Sequence, residues 1–479
     1  RDIISSSGVP FEFSPEVIKE AADIESEFKW SFIGKRADLR GKTTFTLGSL
    51  EVAFSVERQD GDFILGIHSA DVSKLFPLCS PLDEVAFLKG KSVILPEKKY
   101  PMIPESIASG FCSLEEGEEC FTVSVFLKIT ESGKIKSVDF FESVIKVTAN
   151  CEPEEVEALF FNIDVSSVGF LRYKYQAVLN QLEEMFLAGA ILKSVRESRG
   201  AEEVDTAFRT FSKKGIRGNV VSVNFEKLSD PKRLVREVIS AAGMEIAKFF
   251  KKEFVPCPNR FRPPMSKEGN DSLREFLKTI CINTEDVKDE NLVGFASNIA
   301  HGGKNEELIL EKIKELLPSS SCSLEGGYHC GIASEHYVRF AYPASRYGDL
   351  CVQRLMKAVS TRNREMESLD MEYLNRCASR AVQAVCENEP KAKALENRIS
   401  DLYALDFLSN NKNKNFEGTV WSVSKESVEI CLDNSCKGIL KSKGEFVPGQ
   451  RCVFRISDID WEKETAFFEV CSVSLITRV

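Results

Sequence analysis

The stretch from Gly41 to Val56 reads Gly-Lys-Thr-Thr-Phe-Thr-Leu-Gly-Ser-Leu-Glu-Val-Ala-Phe-Ser-Val and holds one acidic side chain, Glu51. A lone carboxylate in a strand-like stretch reads as a solvated face residue, because magnesium asks for several hard oxygen ligands in near-octahedral array. Three basic clusters are candidates for phosphate contact: Lys35, Arg36, Arg40 and Lys42; Lys213, Lys214 and Arg217; and Lys248, Lys251 and Lys252. Such runs more often form solvated faces than binding sites; the first is favoured because it adjoins the most informative segment. Soft ligands gather at Cys322, His329, Cys330 and His336, but their spacing fits no standard zinc module. Gly90-Lys91-Ser92 has the ending of a phosphate-cradling loop without its first glycine, since Val85 stands in that place.

The blocks around that stretch carry more information. Upstream lies Arg36-Ala37-Asp38-Leu39-Arg40, and downstream Gly66-Ile67-His68-Ser69-Ala70-Asp71-Val72. Then come Leu82-Asp83-Glu84, Ser92-Val93-Ile94-Leu95-Pro96, Pro101-Met102-Ile103-Pro104-Glu105 and Cys112-Ser113-Leu114. Much later stand Gly331-Ile332-Ala333-Ser334 and Arg339-Phe340-Ala341-Tyr342-Pro343-Ala344-Ser345-Arg346-Tyr347-Gly348-Asp349-Leu350. In this order and spacing, from about Arg36 to Val359, they resemble the catalytic domain of the RNase II/RNase R (RNB) family of 3′-to-5′ exoribonucleases. The resemblance implies an α+β fold in which a mixed sheet surrounded by helices forms an RNA channel, followed by a C-terminal S1-type OB β-barrel.

In active members of that family the first signature runs roughly Thr-Ile-Asp-Pro, a short spacer, then Asp-x-Asp-Asp-Ala. Those aspartates hold magnesium, which activates a water and clamps the scissile phosphate. Here Thr46-Leu47-Gly48-Ser49 and Leu50-Glu51-Val52-Ala53 stand in their places, and the spacer is shortened. The resemblance thus implies a lost magnesium site, no catalytic residue and no cofactor, with Glu51 the acidic remnant. The second signature has changed as well. Ser345-Arg346 replaces an arginine pair, Ala341-Tyr342-Pro343 replaces Thr-Ser-Pro, and Gln353 replaces a histidine. The paired arginines of the family grip phosphates through planar forks that serine cannot supply. Arg346, the adjoining Tyr347 and Arg354 remain as expected RNA contacts; the alternative for Arg346 is a structural ion pair with Asp349.

These residues need a scaffold to position them. At 479 residues the chain should hold about two to four domains. Its 43% apolar and 28% charged content is that of a globular protein, and no apolar run approaches the eighteen or so residues of a membrane helix. A net charge of −10 argues against a general polyanion-binding surface but leaves room for a locally basic channel. Fifteen cysteines without a Cys-x-x-Cys read as reduced thiols of an intracellular protein, expected in the cytoplasm with the nucleus as alternative. The first residue is Arg1, and the expectation is a trimmed chain; relatives often carry cold-shock-type barrels upstream, whose end would lie in 1–35.

A helix is expected from Pro15 to Glu27, and buried strands at Phe63–Ile67 and Phe121–Leu127. Val235, Ile239, Ala242, Ile246 and Phe249 form one helical stripe, and 361–408 continues as helix. The RNB-like domain is placed at 36–408 and a flexible polar linker at 409–415. Five short strands then mark an S1-like barrel at 416–474, with Phe416, Trp421 and Phe467 as candidates for base stacking and core packing the commoner fate of such rings.

Three functions compete. The favoured one is a single-stranded RNA-binding pseudonuclease that regulates mRNA after transcription, resembling fungal translational repressors with a degenerate RNB domain. The others are an active exoribonuclease of the exosome-associated type and a protein scaffold independent of RNA. The partners expected are single-stranded RNA and proteins of RNA-decay or translation-control assemblies, with neither membrane nor DNA.

Overall fold

The run Val52-Ala53-Phe54-Ser55-Val56 lacks apolar–polar alternation, the mark of a strand covered on both faces, and all five residues are buried. The computed structural model describes residues 2–27, 36–161, 168–202, 208–214, 219–226, 228–300, 305–360, 370–424, 426–441 and 445–473. Its centre is a seven-stranded mixed sheet. The strands are β1 (Ala37–Asp38), β2 (Phe45–Leu47), β3 (Val52–Gln59), β4 (Asp62–Ala70), β7 (Glu119–Ile129), β8 (Ile135–Lys146) and β9 (Ala149–Cys151); β5 (Val93–Ile94) and β6 (Lys99–Tyr100) form a separate hairpin. The order is β1-β8-β7-β4-β3-β2-β9, parallel at β1–β8 and β2–β9 and antiparallel elsewhere.

One face of the sheet packs Val52, Phe54 and Val56 against the helices Leu179–Ser198 and Asp230–Lys252. The expected stripe lies on the second of these helices, with Val235, Ala242 and Ile246 in the core and Ile239 and Phe249 at its margin. Gly243 is required there, because a Cβ would lie 2.2 Å from the carbonyl oxygen of Val338. The other face packs Ala53 and Ala70 against Leu82, Val85, Tyr347 and Leu350 of the helices Pro81–Lys89 and Tyr347–Ala358. The helices Lys267–Thr279, Asp289–Ala300 and Glu306–Leu316 share a small core of their own. The helix Pro15–Glu27 has the expected bounds. Among the described residues no helix is long and apolar enough to cross a membrane.

Strands β10 (Phe208–Lys214) and β11 (Asn219–Glu226) pair as a hairpin, and β12 (Asn259–Phe261) pairs with β13 (Ser321–Ser323). The last five strands are β14 (Asn415–Val423), β15 (Val428–Leu432), β16 (Lys437–Leu440), β17 (Arg451–Asp460) and β18 (Thr465–Val473). They close an OB-like barrel in the order β14-β15-β16-β18-β17, with β16 and β18 parallel. Read from the sequence as starting at Phe416, Ser427, Gly438, Arg451 and Thr465, each begins within one residue of that position. The segment 409–415 differs from expectation. Between the helical Ser409 and Asn415, the first residue of β14, residues 410–414 are turns in which the side-chain amides of Asn410 and Asn411 donate to the carbonyls of Asp406 and Phe407. The barrel core also takes in Ala404, Leu405 and Leu408, so the helix Glu389–Ser409 runs into the barrel without an open linker.

A polar ladder crosses the second face of the sheet. Ser55 Oγ lies 2.9 Å from His68 Nε2, His68 Nδ1 lies 2.6 Å from Ser124 Oγ, and Ser143 Oγ is 2.6 Å beyond. Full burial pushes the His68 imidazole down to about 3, so it stays neutral in the fold. The unfolded chain binds a proton at His68 near pH 6.5 and the native sheet does not, so stability is lost as pH falls from about 6.5 towards 3. The expected slope from this one group is roughly 1.4 kcal/mol per pH unit below pH 6. Urea unfolding at several pH values should show it, and a flatter profile in His68→Gln would identify its source.

Candidate nucleic-acid interface

The loop between β2 and β3 is where the first signature falls. Gly48 adopts φ +67° there, and a Cβ at this position would lie 2.6 Å from Pro153 Cγ and 2.9 Å from Lys232 Cε. Ser49 follows, then Glu51, whose carbonyl accepts the Ala70 amide at 3.0 Å. Glu51 Oε1 accepts a hydrogen bond from the Ser345 hydroxyl and lies 3.7 Å from Lys99 Nζ, while Oε2 is buried without a hydrogen-bond partner. Burial pushes the Glu51 carboxyl above its usual range, with the Ser345 hydroxyl pulling the other way. Val52 turns into the core, 1% exposed.

This loop opens onto two contiguous cavities of about 500 and 680 Å³, which share Ser49, Arg260, Ser320, Arg339, Tyr342 and Arg346. The first turns of Asp230–Lys252 supply Lys232 and Arg236, and β12 supplies Arg260. The β5–β6 hairpin and its approach supply Lys91 and Lys99, and the start of Glu389–Ser409 supplies Lys393. Eight basic side chains thus line the joint cavity against three acidic ones, Glu51, Asp349 and Glu389, with Glu396 behind the wall holding Lys91 at 2.8 Å. Its guanidinium pairs are long: Arg260–Glu389 3.3 Å, Arg339–Asp349 3.5 Å, Arg339–Glu389 3.5 Å and Arg346–Asp349 3.9 Å. Burial, with the neighbouring Arg339, pulls the Arg260 guanidinium below its usual range.

Of the sequence candidates, Arg346 faces this cavity. It is 37% exposed, sits over the Tyr342 ring at 5.1 Å, and makes the Asp349 contact only loosely. Tyr347 and Arg354 do not reach it. Arg354 is 2% exposed and donates to Asp83 at 2.6 Å, and the fully buried Tyr347 hydroxyl donates to the same carboxylate at 3.0 Å. Both are corrections: a guanidinium enclosed with its counter-ion has no face left for phosphate. Arg36 is also enclosed, paired with Asp71 and with Glu142 at 2.8 Å. Arg40 pairs with Asp38 and Glu119, and Lys42 with Glu57 at 2.6 Å. Arg36 and Arg40 flank β1, five strand positions from β2, or roughly 24 Å at the usual spacing. Adjacency in the chain is separation in the sheet.

Trp421 is corrected in the same way. It is 2% exposed, its indole N–H donates to Glu315 at 2.7 Å, and Lys437 Nζ lies 4.6 Å from its ring, so it docks the barrel onto the helical cluster. Phe416 packs on Phe407, and Phe467 stands beside Lys441 at 5.4 Å. Lys213 pairs with Glu97; Lys35 and Arg217 and the Lys214 side chain lie outside the described residues. Lys248 and Lys251 sit at the far end of the helix that carries Lys232, bound to Glu245 and His336. Cys322, His329, Cys330 and His336 do not converge: among the described residues the one group with three metal-ligating atoms together is Cys79, Asp83 and Glu84, away from this loop. The residues missed were Lys99, Lys232, Arg236, Arg260 and Arg339. Lys393 was missed as well; only Arg339 lay within a recognised block, the others stand outside the three clusters weighed, and Arg236 is masked by the apolar stripe around it.

The RNB domain family matches residues 36–362. The chain belongs to that family. It is 23% identical to Ribonuclease R 1 of Lactococcus lactis over 450 residues, covering 92% of this chain and 54% of that protein. Against Ribonuclease R of Thermotoga maritima the identity is 27% over 441 residues, with 87% and 59% covered. The chain therefore spans little more than half the length of these relatives. Among solved structures, Mycoplasma genitalium RNase R in complex with ribose-methylated single-stranded RNA shares the fold at a TM-score of 0.86, with 20% identity over 98% of this RNB chain and 77% of that one. Yeast Ssd1, described as a pseudonuclease, matches at 0.64, with 17% identity, covering 89% and 53%.

The two arginines of the second signature should separate cleanly. Arg354→Ala leaves Asp83 buried without its closest cation and should cost about 3–5 kcal/mol in chemical denaturation. Arg346→Ala, at a half-exposed site with one long ion pair, should stay within about 0.5 kcal/mol.

Proposed function

We propose that this RNB chain binds single-stranded RNA without cleaving it and serves as a post-transcriptional regulator of mRNA. The observation that carries the reading is the joint cavity, where eight cations meet four carboxylates, Glu396 behind Lys91 included, in a chain of net charge −10. A local excess of that kind concentrates a polyanion against the overall field of the molecule. Support for a nucleic-acid ligand comes from the similarly folded RNase R captured with single-stranded RNA. Support for loss of cleavage comes from the loop itself. Its donor set is Glu51, one of whose oxygens is already held by Ser345, and a single carboxylate does not meet what magnesium asks of a site.

Fluorescence anisotropy of a 5′-labelled single-stranded RNA with magnesium present tests the reading. A stable rise that falls with added salt is the expected outcome, and decay of the signal to that of small fragments would overturn it. Returning acids to the loop should not create a nuclease. Gly48→Asp places a Cβ against Pro153 at a positive φ, and Val52→Asp buries an uncompensated carboxylate costing several kcal/mol. Gel analysis of the double variant should show intact RNA after incubation with magnesium; shortened products would sink the argument from the loop.

A further inference from the structure

The loop between β2 and β3 holds one carboxylate, Glu51, and a lysine stands near each of its ends. The Cβ that a side chain at Gly48 would carry falls 2.9 Å from Lys232 Cε, and the ammonium is the next atom along that chain. Among the described residues Lys232 makes no ion pair, although Asp230 lies two residues before it and is taken by Arg233 at 2.9 Å. At the other end of the loop, Lys99 Nζ lies 3.7 Å from Glu51 and is more than half exposed. Both cavities include Ser49; Lys232 lines the first and Lys99 the second. The short loop thus has a lysine at each end, with Arg346 and Arg339 on the wall they share.

We propose that Lys232 and Lys99 supply the positive charge that a divalent cation would otherwise bring to this loop, so that the site holds the phosphodiester backbone of a single strand without any metal. The inference rests on the RNA-binding reading above and deepens it by naming the groups that meet the phosphates. A divalent cation needs anionic ligands to stay in place, whereas an ammonium is tethered covalently and needs none. Removing the aspartates lowers metal affinity and at the same time removes negative charge that would repel phosphate. With a lysine on each side, the remaining electrostatics favour a bound, unreacted phosphodiester. No water is activated, because an ammonium is a hydrogen-bond donor and offers no Lewis-acid site for water to bind.

The test uses the full chain and a short 5′-labelled oligouridylate, with affinity read by anisotropy in EDTA and again with excess magnesium. The expected result is equal affinity in the two buffers. Lys232→Ala and Lys99→Ala should each weaken binding roughly tenfold. Each should also flatten the log–log salt dependence by about 0.7, the loss of one single-strand phosphate contact. Lys232→Arg should keep most of the affinity. Inorganic phosphate at matched ionic strength should compete poorly, whereas full competition would mark a free-anion site and overturn the proposal. Binding that vanishes in EDTA and returns with magnesium would also overturn it. So would lysine variants that bind like the parent while Arg346→Ala does not, an outcome that leaves the RNA-binding reading standing. Absence of RNA binding by the unaltered chain would sink both.

Discussion

Asp83 is wholly buried, and three helices converge on it. Its carboxylate accepts hydrogen bonds from Arg354 at 2.6 Å, the Tyr347 hydroxyl at 3.0 Å, Arg380 at 3.3 Å and the Cys79 amide at 2.8 Å. A charge out of water is tolerable only when compensated from several sides. The helices Pro81–Lys89, Tyr347–Ala358 and Met371–Gln383 therefore have one mutual arrangement in which all donors reach it. That arrangement sets where Tyr347–Ala358 begins, and with it the positions of Asp349 and Arg346 at the cavity. The candidate site inherits its geometry from an ion cluster that touches none of its ligands.

Core and cavity handle arginine differently. In the core, Arg354–Asp83 at 2.6 Å and the bidentate Arg196–Glu237 pair at 2.8 Å are closed units whose charges cancel locally. In the cavity the corresponding distances run from 3.3 to 3.9 Å, and Arg260 and Arg339 share the Glu389 carboxylate. Loose pairing leaves charge-assisted hydrogen-bonding capacity for an incoming anion. Tight pairs specify the fold and long ones remain available to a ligand, and residue type alone does not separate the two.

The barrel is joined to the rest through several contacts. Trp421 bridges to Glu315, the turn at Gly449 comes so close that a Cβ would meet Thr279 Oγ1 at 2.4 Å, and the helix Glu389–Ser409 ends inside the barrel core. One of its two tryptophans is thereby spent on docking, while the other, Trp461, stands exposed at the turn after β17. The surface ring that remains beside a cation is Phe467, with Lys441. Any contribution of the barrel to a strand therefore comes from a different face than the tryptophan suggested.

Much of the architecture was legible in the chain itself, because period and turn chemistry are local. The buried strands β4 and β7, the stripe on Asp230–Lys252 and the five barrel strands follow from residues a few positions apart. The scarcity of acids between Gly41 and Val56 is equally local, since a carboxylate absent from the chain is absent in any fold. What the chain could not disclose is where its cations point. Arg36, Arg354 and Trp421 looked free to bind and are enclosed by Asp71, Asp83 and Glu315, each far away in sequence. Lys99, Lys232 and Arg260 fell in none of the blocks or clusters weighed, and with Arg339 they line the joint cavity. Burial and charge compensation depend on partners brought together across the sheet, so only the tertiary structure could decide which cations hold the protein together and which are left to hold something else.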